Sequence, residues 1–140
     1  MKILLDTNVI IDALTGREPW NVSAEKIFLF GANHIINIYI TASSATDIYY
    51  LIRKHLHNTQ YAKQIMEKLY SLIGILEVTE TDCIEAIASQ IADYEDAVVD
   101  RVAYRKGMDY IVTRNLKDYK NSSVKSILPD DFICLIEEKG

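Results

Sequence analysis

The chain has 140 residues, of which 49% are hydrophobic, and it contains only five Gly and two Pro. This composition excludes a disordered or low-complexity chain and predicts one folded domain over residues 1–140. The formal net charge of −5 provides no global basic field, so binding of a polyanion would need metal ions or local Lys and Arg side chains. Cys83 and Cys134 lie far apart without CxxC spacing, which indicates reduced thiols in a cytoplasmic protein.

The first segment, MKILLDTNVIIDALTG, predicts a buried strand that is followed at once by a helix. Asp6 ends the strand KILLD, and Thr7 or Asn8 could cap the helix. These polar residues interrupt the apolar run before it reaches the length of a secretion signal, and no other run approaches the roughly 18 apolar residues of a membrane span. We therefore expect neither a secretion signal nor a membrane segment.

The middle of the chain alternates between strand and helix patterns. INIYITA is apolar on both parities, which is typical of a strand covered on both faces. Two segments have the apolar spacing of helices: ATDIYYLIRKHL, with Ser43 or Ser44 as its cap, and TQYAKQIMEKLYSLIG, with Gly74 after its last turn. ILEVTE is a shorter strand candidate.

The last third continues this alternation. Thr81 or Asp82 could cap the helix CIEAIASQIA, and Asp93 could cap YEDAVVDRVAYRKG, which ends at Gly107. DYIVTR is the next predicted strand, and FICLIEE is a further strand candidate. Strands that alternate with helices in this way predict a three-layer α/β/α sandwich with a mostly parallel central sheet.

Four separate regions each contribute a carboxylate: Asp6, Asp47, Asp96 and Asp118. Taken singly, each could be a helix cap, a turn residue or compensation of a helix dipole. Parallel sheets bind ligands at the carboxyl ends of their strands, and carboxylates that converge there without basic partners would repel each other. A hard divalent cation such as Mg²⁺ or Mn²⁺ would remove that repulsion. Glu95 is expected to point away from the cluster.

Three segments together resemble the motifs of the PIN domain family, and within it the VapC-like toxins: LLDTNVIIDALTGREP, ITASSATDIYYLIRK and DYEDAVVDRVAYRKGMDYIVTRNLKDY. The resemblance covers essentially the whole chain. It implies a metal-dependent ribonuclease that acts on RNA, a cognate antitoxin as partner, and a homodimer.

The same resemblance assigns roles to individual residues. Asp6, Asp96 and Asp118 would bind the metal, and Asp47 would join them as a catalytic acid. Supporting polar positions are Thr7, Asn8, Asp93, Thr113 and Asn115, and candidates for phosphate contacts are Arg17, Arg114 and Lys117. The family usually has Glu at the position of Asp47 and often Asp at that of Asn115. Both departures leave open a weakened metal site.

Three other functions compete with a metal-dependent ribonuclease. A PIN-fold module that binds nucleic acid or protein without turnover would keep the scaffold and lose the chemistry. A phosphohydrolase of the haloacid-dehalogenase type would need a second Asp where Asn8 stands. A receiver-type signalling domain would need paired upstream acids and a late Lys at a strand end, and neither is found.

Overall fold

The computed structural model describes residues 1–139, which contain a five-stranded sheet with the order β3-β2-β1-β4-β5. The strands are β1 (Lys2–Leu5), β2 (Asn37–Thr41), β3 (Gly74–Leu76), β4 (Tyr110–Val112) and β5 (Ser126–Ile127). Every pairing is parallel, as predicted. The strand order reverses between β1 and β4, which is the place where an open parallel sheet forms its binding crevice.

Within residues 1–139, seven α-helices and one 3-10 helix connect or follow these strands. They are α1 (Thr7–Thr15), α2 (Asn21–Ala32), α3 (Ala42–Leu56), α4 (Thr59–Leu72), α5 (Glu80–Ile87), α6 (Tyr94–Arg105), the 3-10 helix (Leu116–Tyr119) and α7 (Pro129–Lys139). Ile3 and Leu5 of β1 face a core shared with α1–α4 and α7, whereas Leu4 faces one shared with α5 and α6. Because alternate residues of one strand enter opposite cores, the predicted three-layer sandwich is confirmed.

The strand predicted at FICLIEE is wrong, because this segment lies in α7. Phe132 and Ile133 are buried in the same core as α2, and Pro129 occupies the first helical position, which a proline favours. A short apolar run cannot by itself distinguish a strand from a buried helix. The last strand is β5, whose two residues are too few to produce a pattern.

Three predicted N-cap residues are also wrong, because an earlier residue occupies the N-cap position of each helix. The observed caps are Asp6 in place of Thr7 or Asn8, Thr41 in place of Ser43 or Ser44, and Thr79 in place of Thr81 or Asp82. Gly74 directly follows the C-cap Ile73 of α4, as predicted, and is also the first residue of β3. A Cβ there would come within 2.7 Å of the Tyr39 ring. The cap at Asp93 and the left-handed Gly107 after α6 are confirmed. Within residues 1–139, no helix is both long and apolar enough to cross a membrane.

Candidate active site

Asp6 lies where β1 ends and α1 begins, at the reversal of strand order. Its backbone N–H donates to the carbonyl oxygen of Val112 at the end of β4, at 3.0 Å. Its Oδ1 accepts a 2.9 Å hydrogen bond from the Thr7 N–H. Its Oδ2 accepts bonds from the Thr113 hydroxyl group at 2.8 Å and from the Asn8 amide at 3.3 Å. One backbone contact and three carboxylate contacts therefore fix Asp6 at the predicted binding edge of the sheet.

Asp96 reaches the same place from the first turn of α6, whose cap Asp93 accepts a 3.0 Å bond from the Asp96 N–H. The hydroxyl oxygen of Tyr119 lies 3.4 Å from Oδ1 of Asp6 and 3.2 Å from Oδ1 of Asp96. A phenolic group has one hydrogen to donate, so it can satisfy only one of these carboxylates at a time. Asp6 and Asp96, hereafter the acid pair, thus meet at a single buried hydroxyl.

Sequence reasoning missed Tyr119. The residue is only 1% exposed, and its ring packs with the core beneath α6. An aromatic residue after Asp118 is consistent with ordinary core packing, so the sequence contains no pattern that separates this hydroxyl from the other tyrosines. Only the fold brings it between the two carboxylates.

Burial and like charge act together on the acid pair. Burial raises the pKa of Asp6, and the hydrogen bond from Thr113 opposes that rise. Burial, followed by the charge of Asp6, raises the pKa of Asp96 to about 6. The charge of Asp118 contributes to the raised pKa of both residues. Asp118 therefore lies close enough to the acid pair for its charge to raise the pKa of both carboxyl groups.

The acid pair, which is half-buried, differs from the fully buried Asp12 and Asp82 in having no basic partner. Three fully buried acids each have a compensating group: Asp12 pairs with Arg114 at 2.6 Å, Asp82 with Arg105 at 2.7 Å, and Asp100 with the backbone N–H groups of Ser123 and Val124. No ion pair within residues 1–139 includes Asp6 or Asp96. Buried negative charge normally requires such compensation.

Asp47 lies in α3, is half-buried, and contacts Glu95. A hydrogen bond with Asp47, reinforced by burial and by the Asp47 charge, raises the pKa of Glu95 to about 7. The expectation that Glu95 points away from the acids is therefore wrong. A glutamate side chain is long enough to reach another helix although the residue itself remains exposed.

The remaining predicted residues lie around the acid pair in different settings. Asn115 is exposed, and its backbone N–H donates to Thr113 at 3.0 Å. Arg17 and Lys117 are exposed, and neither belongs to an ion pair within the part of the chain that the structure describes. Arg114 differs, because its guanidinium group is paired with a buried acid and is less available to a phosphate.

The donor set suits a hydrated hard cation better than a fully protein-bound one. Across residues 1–139, no group of three or more His, Cys, Asp or Glu side chains is arranged to hold a metal ion. Mg²⁺ is commonly held by one or two carboxylates, with waters and substrate phosphates completing its coordination. Asp6 and Asp96, two oxygen donors without a basic partner, fit that arrangement.

Comparisons with known proteins agree with this geometry. The PIN domain family model matches residues 2–117, whereas none of the curated proteins compared with the chain matches it significantly. Similar solved structures include VapBC2 from Rickettsia felis bound to a promoter DNA fragment (TM-score 0.69, 15% identity, 91% of this chain and 98% of that one). FitAcB from Neisseria gonorrhoeae gives a TM-score of 0.67 at 21% identity, covering 91% and 97%.

A third similar structure is VapC20 from Mycobacterium tuberculosis, described as a sarcin-ricin loop cleaving toxin, with a TM-score of 0.66 at 13% identity and coverage of 88% and 98%. At these identities the structural likeness establishes the fold alone. The family model spans most of the chain, from β1 into the 3-10 helix after β4. On these grounds, the chain belongs to the PIN domain family.

Proposed function

We propose that this protein is a metal-dependent ribonuclease that hydrolyses RNA phosphodiester bonds. The observation that carries the proposal is the acid pair, which meets at one hydroxyl without any basic partner, whereas the buried carboxylates of Asp12 and Asp82 are each paired with an arginine. A divalent cation supplies the missing positive charge. Membership of the PIN domain family supports the same chemistry.

The proposed roles follow from the contacts. Asp6 and Asp96 would hold Mg²⁺ or Mn²⁺, with Asp118 nearby as a further acid. Bound there, the ion lowers the pKa of a water molecule and neutralises negative charge on the leaving oxygen. Thr113 and Asn8 donate to Oδ2 of Asp6 and so keep that carboxylate in one orientation, as supporting hydrogen bonds do at metal sites.

Binding of RNA must overcome the negative charge of the protein. With a net charge of −5, attraction of phosphates depends on the bound cation and on nearby basic residues. Lys117 stands next to Asp118 in the 3-10 helix, and Arg17 follows α1. Both are exposed and are the proposed phosphate contacts.

We also propose that the protein is the cytoplasmic toxin of a toxin–antitoxin pair, with an antitoxin as partner and a homodimer as its assembly. Support comes from the similar structures, which include the VapBC2 complex and VapC20. Induced expression should arrest growth, and co-expression of the small protein encoded beside it should restore growth and co-purify. Growth unaffected by induction would contradict the toxin role.

The decisive test of the chemistry is cleavage of labelled RNA during a Mn²⁺ titration. We expect cleavage by the wild-type protein and a loss of about 100-fold or more in Asp6→Asn and Asp96→Asn. Asp131→Asn is the matched control, because it makes the same chemical change at an exposed acid in α7. Residual activity equal in all four proteins would show that the cleavage has another source.

One second function is favoured by a specific observation. Asp47 is shorter than the usual Glu, Asn115 lacks a charge, and the acids meet as a pair instead of a larger group. This set favours a PIN-fold binding module that holds RNA or protein without turnover. Saturable RNA binding without cleavage at any Mn²⁺ concentration would support this alternative and reject the enzyme.

A further inference from the structure

A separate cavity adjoins the candidate active site. Its volume is about 370 Å³, and its lining includes Trp20, Ser23, Arg114, Pro129 and Asp130. We call it the Trp20 pocket. This volume lies within the range of about 300–1,000 Å³ that is typical of ligand pockets. The pocket lies where residues before α2 and at the start of α7 approach the end of β4.

The Trp20 pocket is connected to the acid pair through short contacts. Arg114 follows Thr113, whose hydroxyl group donates to Asp6 at 2.8 Å. The Arg114 N–H approaches Oδ1 of Asn8 at 3.5 Å, and the Asn8 amide donates to Asp6 at 3.3 Å. A strand whose phosphate lies at the acid pair would therefore have an adjacent nucleotide beside the pocket.

Two features of the pocket wall match the chemistry of base recognition. Trp20 is 45% exposed, and the Arg114 guanidinium carbon lies 4.2 Å from its ring centroid. Two hydrogen bonds to buried Asp12, at 2.6 and 3.3 Å, hold that guanidinium group in place. Exposed aromatic rings beside arginine side chains are the surfaces on which unpaired bases stack.

The polar lining adds a preference among bases. Asp130 Oδ1 accepts a hydrogen bond from the Ser23 hydroxyl group, and Oδ2 makes no hydrogen bond or ion pair within residues 1–139. A carboxylate accepts N–H donors and repels carbonyl oxygens. Guanine presents adjacent N–H donors on its Watson–Crick edge, whereas uracil presents two carbonyl groups and one N–H.

We propose that the Trp20 pocket binds one unpaired base of the RNA substrate, preferably guanine, beside the phosphodiester at the acid pair. This inference rests on the proposed ribonuclease function and adds a substrate preference to it. The base stacks against Trp20, and its donor edge faces Asp130.

The test uses the Asp96→Asn protein, so that RNA stays intact, and a fluorescein-labelled oligouridylate with one central guanosine. Trp20 is the chain's only tryptophan, so its emission reports on the pocket without any substitution there. We expect this RNA to quench the emission and to bind about tenfold more tightly than the same RNA with an abasic residue at that position. Asp130→Asn should reduce the preference for guanosine over uridine.

Trp20→Ala should abolish the difference between the guanosine and abasic RNAs. Tyr104→Ala is the matched control, because Tyr104 is also an exposed aromatic residue beside an arginine. The guanidinium carbon of Arg101 lies 5.1 Å from the centroid of the Tyr104 ring in α6. Equal affinity for both RNAs, without quenching, would overturn the proposal. A difference that survives Trp20→Ala would also overturn it.

The outcomes also distinguish this inference from the proposed function. Cleavage by the wild-type protein without any dependence of binding on the base would overturn the pocket assignment and leave the nuclease in place. Binding that depends on the base, with Mn²⁺-dependent cleavage absent, would reject the nuclease and leave the pocket as a base-binding site.

Discussion

The hydroxyl group of Thr113 donates a 2.8 Å hydrogen bond to Oδ2 of Asp6, although 107 residues separate the two in sequence. The bond joins the ends of β4 and β1, which are neighbours in the sheet. It uses one carboxylate oxygen, while Oδ1 lies 3.4 Å from the Tyr119 hydroxyl oxygen that also faces Asp96. The sheet topology therefore determines the orientation of the acid pair.

The uncompensated charge of the acid pair predicts an unusual effect of mutation on stability. Without divalent ions at neutral pH, Asp6→Asn should raise the free energy of unfolding, because it removes a buried charge that Asp96 repels. Asp82→Asn should lower the free energy of unfolding by about 2 kcal/mol, because Arg105 loses its charged partner. Urea unfolding monitored by circular dichroism measures both effects. If Asp6→Asn destabilised the protein as much as Asp82→Asn, the charge of Asp6 would be stabilised by its surroundings, and the prediction would be wrong.

Ionisation of Asp96 predicts how stability depends on pH. Its pKa is raised from 3.8 to about 6 in the folded protein, so the folded state binds more protons than the unfolded state between these values. The stability contributed by this group is fully present below about pH 4 and is lost as pH rises through about 6. Thermal melting without metal, compared between wild type and Asp96→Asn, isolates the effect.

Divalent ions should reverse that loss. Mg²⁺ binds the ionised carboxylates, so its stabilising effect should be larger at pH 7.5 than at pH 5 and should be small in Asp96→Asn. At subsaturating Mn²⁺, cleavage should fall as pH decreases, because protonation of Asp96, whose pKa is about 6 without metal, competes with binding of the ion. A Mg²⁺ effect that is independent of pH would place the ion elsewhere.

The sequence predicts the layers of the fold and most of the site, and its failures share a cause. Asp6, Asp96 and Asp118 follow strand ends or helix starts, and topology then brings them together. Tyr119 and Arg114 were missed or misread because their roles depend on contacts with residues more than 20 positions away. Arg114 was predicted as a candidate for phosphate contact, yet it neutralises buried Asp12, and no local pattern indicates that pairing.

Removal of the Tyr119 hydroxyl group should weaken the site without unfolding the protein. Tyr119→Phe keeps the buried ring but removes the hydroxyl group, whose hydrogen bond lowers the pKa of whichever of the two acids accepts it. We expect a loss of about tenfold or more in Mn²⁺ affinity or turnover, together with a shift of the acidic limb of the pH profile to higher pH. Tyr110→Phe is the control, because Tyr110 packs edge-on against Phe132 away from the acids. An unchanged pH profile would limit Tyr119 to a packing role.

Asp47 provides a test in which activity should increase. A glutamate at this position would restore the chain length usual in the family and extend the carboxylate by one methylene. Because Asp47 lies close enough to Glu95 in α6, next to Asp96, to raise the pKa of Glu95, a longer side chain there would have greater reach toward the acid pair. We expect Asp47→Glu to raise the turnover of RNA cleavage by about threefold to tenfold, a small part of the roughly 100-fold to 10,000-fold that one positioned acid or base typically contributes.

The matched controls for this change are Asp47→Asn, which keeps the length and removes the charge, and Glu67→Asp, which alters the length of an exposed acid in α4. Asp47→Asn should reduce turnover, and Glu67→Asp should leave it unchanged. Turnover measured at saturating Mn²⁺ separates a catalytic effect from a change in metal affinity. Lower activity in Asp47→Glu than in the wild type would contradict this prediction. It would mean that the site of this chain requires the shorter side chain of aspartate at position 47, next to Glu95.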